Sequence, residues 1–300
     1  MRKNILTSIA VLGLTGIMAI GCSNDKTSKM TIEELYTKME EAAKTQDKMS
    51  AEMLIDLELI MDMQAEGVDF SVDMAMGMDG TIKTSVDPYK SHLTGTVSIS
   101  TMGQKQEMDM ESYSVIENGN VVNYMYNYLD QSWTRQDTHQ TADLYAENNF
   151  STETFMSGDF LKLENKTKKI DGNEVYVVTM KYAGEDLEAL MNTMDSSAFM
   201  GETGLSMDSL SFEAMEVLAT CYVDTDDFQI VQLEMDLEGL GDMMNDLYQD
   251  MLASDQSLGS DVEITVDIPI YHIELKNICY DNVTIPDVPQ EAKDSAIDIS

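Results

Sequence analysis

The sequence predicts an α+β fold: one long, curved antiparallel β-sheet with a few amphipathic helices packed against it. Three observations carry that expectation. Apolar residues alternate with period two over long runs, the first from Met53 to Met63. Turn signals divide the runs at spacings too short for crossover helices, which leaves an antiparallel meander. Stretches of helical period interrupt the strands without any change of composition, so residues 31–293 read as a single domain.

The first element is a helix over residues 32–48. Thr31-Ile32-Glu33-Glu34 places Glu three residues after Thr, the pattern of a capping box, and Ile32, Leu35, Tyr36, Met39 and Ala43 recur at helical spacing. The period then becomes two. Met53, Ile55, Leu57, Leu59, Met61 and Met63 fall on one face, with Asp56, Glu58 and Asp62 on the other. Val68, Phe70, Val72, Met74, Met76 and Met78 repeat the arrangement against Asp69, Ser71, Asp73 and Asp79. Strands follow at 80–86, 89–101, 105–116, 121–129 and 132–137, divided by Asp79-Gly80, Asp87-Pro88, Gly103 and Asn118-Gly119-Asn120.

Residues 140–158 read as a short helix and loop. Strands return at 160–170 and 174–182 around Asp171-Gly172-Asn173. A helix over 185–195, carrying Leu187, Leu190, Met191 and Met194, leads into a loop at 196–211. Strands at 213–223 and 228–238 flank Asp224-Thr225-Asp226-Asp227. Leu240, Met243, Met244, Leu247 and Met251 then mark another amphipathic helix, and strands at 261–268 and 270–280 close the sheet. Pro269 between them signals an edge, bulge or bend. Residues 294–300 read as a C-terminal tail.

Ahead of this domain, Arg2 and Lys3 precede an apolar run from Ile5 to Ile20, the order of a secretory signal and too short for a stable spanning helix. Residues 1–21 are therefore expected to be a signal peptide. Ala19-Ile20-Gly21-Cys22 resembles the lipobox of bacterial lipoproteins, in which the Cys receives a diacylglyceryl group before cleavage. Cys22 is then the lipidated N-terminus, and residues 22–30 are a flexible tether. The expected location is the outer face of the cell membrane of a Gram-positive bacterium. The membrane is a partner through acyl chains worth about 0.8 kcal/mol per buried methylene.

Charge narrows the other partners. The chain has 18 basic and 55 acidic residues, and losing Arg2 and Lys3 with the signal moves the formal charge from −37 to −39. Such a surface repels nucleic acid and anionic headgroups. A composition that is 43% hydrophobic in regular alternation argues for a folded core despite that acidity. Besides Cys22 the cysteines are Cys221 and Cys279, and alternation places both on apolar faces, Cys221 with Val217 and Ala219, Cys279 with Tyr271, Ile273 and Leu275. Their bonding depends on strand order.

Several of these features converge. The lipoprotein Cys, the leading helix, the meander, Gln131-Ser132-Trp133-Thr134 and Val283-Thr284-Ile285-Pro286 together resemble Firmicutes lipoproteins related to the LolA/LolB and LppX/LprG superfamily. The resemblance covers most of residues 31–293. It implies a half-barrel whose concave face, plugged by helices, holds lipid or acyl chains. It supplies no catalytic signature and maps no individual ligand residue.

The 26 methionines are the chain's most unusual feature. Met74, Met76 and Met78 share a strand face, as do Met61 and Met63, and these five are the candidate cavity lining. Flexible thioethers let one cavity accept several hydrophobic shapes. Plain core packing is the competing reading. Copper ligation is disfavoured, because these residues alternate with Asp on amphipathic strands instead of lying in loops. Asp224-Thr225-Asp226-Asp227 lacks the Gly and distal Glu of a calcium loop and reads as a hairpin turn. His92, His139 and His272 form no HExxH pair, and no GxSxG elbow, phosphate loop or paired-cysteine motif occurs. The expectation is a binding protein without catalysis, metal or cofactor. The rival is a surface interaction protein with a filled core, using its acidic exterior or the row Tyr124, Tyr126 and Tyr128 with Trp133 to hold a protein or cell-wall partner.

Overall fold

The computed structural model describes residues 30–65, 68–128, 131–141, 161–184, 215–245 and 262–299. The signal peptide, Cys22, most of the tether, the 185–195 helix with its following loop, and the far half of the helix starting at Leu240 lie outside the described residues. So does most of the 140–158 segment.

Helix α1 (Ile32–Ala43) starts where its capping box predicts. The Glu34 amide donates to Thr31 Oγ1 at 3.2 Å, and the Thr31 amide donates to Glu34 Oε2 at 3.1 Å. It ends five residues before the expected 48, because the Thr45 and Gln46 amides turn back onto the Ala42 and Ala43 carbonyls and the chain is already extended at Lys48.

The strands are β1 (Lys48–Ala65), β2 (Val68–Val86), β3 (Tyr89–Thr101), β4 (Gln104–Glu117), β5 (Asn120–Asn127) and β6 (Ser132–Asp137). They continue as β7 (Lys162–Leu163), β8 (Lys168–Ile170), β9 (Asn173–Ala183), β10 (Glu216–Asp224), β11 (Ile230–Glu238), β12 (Val262–Cys279) and β13 (Ile297–Asp298). Residues 240–245 begin helix α2, and α3 spans Gln290–Ser295.

The described strands make one open sheet in the order β13-β6-β5-β4-β3-β2-β1-β12-β11-β10-β9-β7, with β8 also on β9. Two meanders therefore run outward from the centre, β1 to β6 on one side and β12 back to β7 on the other, joined by the antiparallel pair of β1 with β12. All pairings are antiparallel except that of β13, which adds to β6 in parallel. Residues 297–298, a tail in the sequence reading, thus belong to the sheet.

Three boundaries differ from expectation. Asp79-Gly80 is not a turn, and β2 runs unbroken through it. Gly80 stands opposite Gly95, and a Cβ on Gly80 would lie 2.6 Å from the Thr94 carbonyl oxygen, while one on Gly95 would strike the Asp79 carbonyl. The glycines are needed because the two backbones approach each other too closely there to admit a Cβ. Pro269 does not end a strand either: β12 carries it inside a bulge, where Glu58 pairs with Ile270 but Ile60 with Asp267. The expected 160–170 strand is two short pieces, β7 and β8, both on β9.

Residues directly opposite in a ladder point to the same side, so the register defines two faces. On the inner face, Leu35 and Met39 of α1 and Leu240 and Met243 of α2 pack against Val178, Met180, Val217, Ala219 and Cys221. On the outer face, α3 and the segment before it cover Tyr113, Val122, Tyr124 and Trp133 with Val288 and Ala292. The expected placement of helices on the concave side holds for α1 and α2, whereas α3 lies on the opposite side.

Candidate functional site: the inner face of the sheet

Register joins the candidate methionines into one surface. Ile55, Leu57 and Leu59 of β1 stand opposite Met78, Met76 and Met74 of β2, and Met61 and Met63 stand opposite Val72 and Phe70. The surface continues through Val97 and Ile99 to Met108 on one side. On the other side it reaches Tyr271, Ile273, Val266 and Ile264 of β12. The bulge at Pro269 keeps Val266 and Ile264 on this face, since without the extra residue alternation would turn them outward.

The five candidates differ in exposure. Met61 and Met78 are half-buried, while Met63 is 36% exposed and Met74 and Met76 are each 39% exposed. Phe70, which the sequence reading placed on the same strand face without naming it a site residue, is 45% exposed. Around α1 the same face is closely packed, with Leu35, Val178 and Val223 fully buried. The inner face thus passes from a filled core beside β9–β11 to an open apolar floor on β1 and β2.

An open depression of about 380 Å³ lies at the β1–β2 hairpin end, lined by Asp62, Met63, Gln64, Asp69, Phe70, Ser71 and Thr265. Met63 and Phe70 alone belong to the inner face; the others share the outer face through the pairs Asp62–Ser71, Gln64–Asp69 and Asp62–Thr265. It lies at the sheet tip and shares Met63 and Phe70 with the methionine floor, its remaining lining residues being polar.

The remaining sequence candidates fall elsewhere. Tyr124, Tyr126 and Trp133 sit on the outer face against α3, Tyr126 5.0 Å from Trp133 and T-shaped against Tyr128, which stays exposed. His92 lies beside Tyr113, ring centroids 4.4 Å apart, and its Nε2 is 3.3 Å from Glu111 Oε1. Burial holds the His92 value below its ordinary one, against the opposing pull of Glu111. His272 Nδ1 is 2.6 Å from Asp236 Oδ1 on the same outer face. Asp224 Oδ1 accepts from the Asp226 and Asp227 amides at 2.7 and 3.4 Å, so this carboxylate closes its own turn. Among the described residues, no group of three His, Cys, Asp or Glu side chains is placed to hold a metal ion.

One thiol assignment is corrected. Cys221 is buried on the inner face, and burial pushes its thiol up to about 12. Cys279 is exposed. A bulge reverses its side: Ser50 pairs with Cys279 but Glu52 with Lys276, and the extra residue is accommodated at Asn277, whose φ is 52°.

No curated protein matches the chain. Among solved structures, it is similar to the lipoprotein LppX of Mycobacterium tuberculosis, at 13% identity and a TM-score of 0.35, over 84% of this chain and 96% of the other. It is similar to LprF of Mycobacterium bovis at 11% identity and a TM-score of 0.36, over 85% and 97% of the two chains. A DUF1329 family protein of Desulfovibrio piger follows at 9% identity and a TM-score of 0.23, over 84% and 92%. LppX is a structure of the group that the sequence pattern resembles. A family model matches residues 31–297, and the chain belongs to that family, the family of unknown function DUF6612.

Proposed function

We propose that this chain is an extracytoplasmic lipoprotein, anchored by lipidated Cys22, that holds a lipid or other hydrophobic molecule against the inner face of its half-barrel and performs no chemistry on it. Residues 22–30 are the tether and residues 31–293 the binding unit. The observation that carries the reading is the open methionine floor. Met63, Phe70, Met74 and Met76 are each more than a third exposed on a face whose other end is packed solid. Contiguous exposed apolar surface marks an interaction site. Met61 and Met78 complete the floor from half-buried positions.

Binding is hydrophobic burial. At about 25 cal/mol per Å², covering roughly 400 Å² of apolar surface is worth about 10 kcal/mol before the cost of association is subtracted. The thioether side chains fit ligands of differing outline by changing rotamer. Of the aromatic row that the rival surface-interaction reading uses, Tyr124 and Trp133 are buried with α3 and Val288, which leaves Tyr128 as its exposed member.

Native mass spectrometry of the protein released from its own membrane tests the proposal. An adduct of lipid mass that survives gentle desolvation supports it. A bare polypeptide at every collision energy, with no hydrophobic probe taken up in solution, defeats it.

A further inference from the structure

We infer that Met63, Met74 and Met76 are sites of oxidation to the sulfoxide, and that this modification releases the molecule held on the inner face. This rests on the hydrophobic-ligand reading above and adds a redox control to it.

The inner face sorts its apolar residues by exposure. Its branched aliphatic residues Ile55, Leu57, Leu59 and Val72 take half-buried positions, whereas the open positions on β1 and β2 are Met63, Met74, Met76 and Phe70. A floor of leucine would bury a hydrophobic ligand equally well. Thioethers at the open positions add a reactive atom. Met39, Met180, Met215 and Met243 are buried at the packed end of the same face. Elsewhere among the described residues, Met102 in the turn after β3 and Met125 on β5 are the methionines at least as open as those of the floor. Thioethers within reach of solvent are therefore concentrated where the ligand lies.

The oxidant this requires is a peroxide, a two-electron oxygen donor. Hydrogen peroxide is uncharged, so the acidic exterior does not turn it away. A sulfur lone pair attacks one peroxide oxygen, an S–O bond forms and the O–O bond breaks. The departing hydroxide takes the proton of the transferred hydroxyl and leaves as water, so sulfur loses two electrons and peroxide gains them. A flexible apolar side chain becomes a polar one. Across the ladders Met76 stands between Leu57 and Ile99, and Met63 between Phe70 and Ile264, so a sulfoxide at either position faces no side-chain donor on the neighbouring strands. Water must satisfy it, and a hydrophobic ligand that displaces this water strands the acceptor at a cost. Sulfoxide reductases, one for each epimer, reverse the change and restore the floor.

Peroxide treatment of the mature chain, read by peptide mass spectrometry and by titration with a fluorescent diacylglycerol, tests this. We expect Met63, Met74 and Met76 to gain oxygen at least about tenfold faster than Met39, Met180, Met215 and Met243. Bound diacylglycerol should slow the first three while leaving Met102 unprotected. Affinity for the probe should fall at least about tenfold on oxidation and return after treatment with both sulfoxide reductases and a thiol reductant. The thiol reductant alone resets any oxidised form of the exposed Cys279 and should restore nothing. In the triple variant Met63→Leu, Met74→Leu, Met76→Leu, the ratio of affinities before and after peroxide should approach one, whatever the starting affinity. Oxidation of the three floor residues no faster than that of the buried four overturns the site. Rapid oxidation with unchanged affinity, recovery with the thiol reductant alone, or a loss that persists in the triple variant overturns the release while leaving the hydrophobic-ligand reading intact. No uptake of any hydrophobic probe by the untreated protein overturns both.

Discussion

His92 shows how a single side chain couples this sheet to pH. It is 9% exposed on the outer face, with Glu111 and Tyr113 beside it and Lys83 and Lys90 acting on it from a distance. Burial lowers its value from 6.5. The unfolded chain therefore binds more protons between that ordinary value and the lower folded one. Stability falls as pH drops through about 6.5 and levels off below the folded value. His92→Gln should show a smaller fall in urea midpoint between pH 7.5 and 5.5 than the wild type, and equal falls would remove His92 from the account. Thiol accessibility gives a second test at this scale. In the folded protein Cys279 should react rapidly with a maleimide and Cys221 only on unfolding, because one is exposed and the other is buried with its thiol raised to about 12.

Among the elements, the centre of the sheet depends on Gly80 and Gly95. Replacing Gly in a strand by Ala ordinarily gains stability, but here the added Cβ would meet backbone that cannot step aside cheaply. Gly95→Ala should therefore destabilise by about 1–3 kcal/mol, read from chemical denaturation. Unchanged or increased stability would show that the close approach at Gly95 admits a Cβ. Asn245 serves another element boundary. Its amide donates to the Val266 carbonyl at 2.9 Å and its Oδ1 accepts from the Val266 amide at 2.5 Å, so one side chain stands in for a neighbouring strand along β12. Most strands were legible because period-two alternation is a local signal: 89–101 and 132–137 coincide with β3 and β6. What was not legible is set by distant partners. Asp79-Gly80 looks like a turn until Gly95 is placed across from Gly80, and Cys279 follows its apolar neighbours until β1 forces a bulge at Asn277. The pairing of β1 with β12 joins residues about two hundred positions apart, and no local pattern announces it.

The whole molecule is organised by charge. On β1 to β6 the described strand carboxylates point outward, so a chain of formal charge −37 can present an apolar floor there without placing strand charge beside it. The methionines could be assigned to one side from alternation alone. That Met63, Met74 and Met76 remain open while Val178 and Cys221 are sealed was not readable, because it depends on which strands α1 and α2 cover. Under the proposed anchor, so acidic a chain has only an acyl group at Cys22 to hold it on a membrane, so Cys22→Ala should shift it from the membrane fraction to the medium, and palmitate labelling of that variant would contradict the anchor. Met76 carries the central claim. Being 39% exposed, it should cost less than the roughly 2–5 kcal/mol typical of a buried Met→Ala change. The most direct measurement is equilibrium titration of a fluorescent diacylglycerol into the wild type and Met76→Asp, which places a carboxylate in the middle of the floor. The account predicts saturable binding by the wild type and a loss of at least about tenfold in the variant, with the unfolding midpoint nearly unchanged. Equal affinity in the two proteins, or no uptake by the wild type, would contradict it.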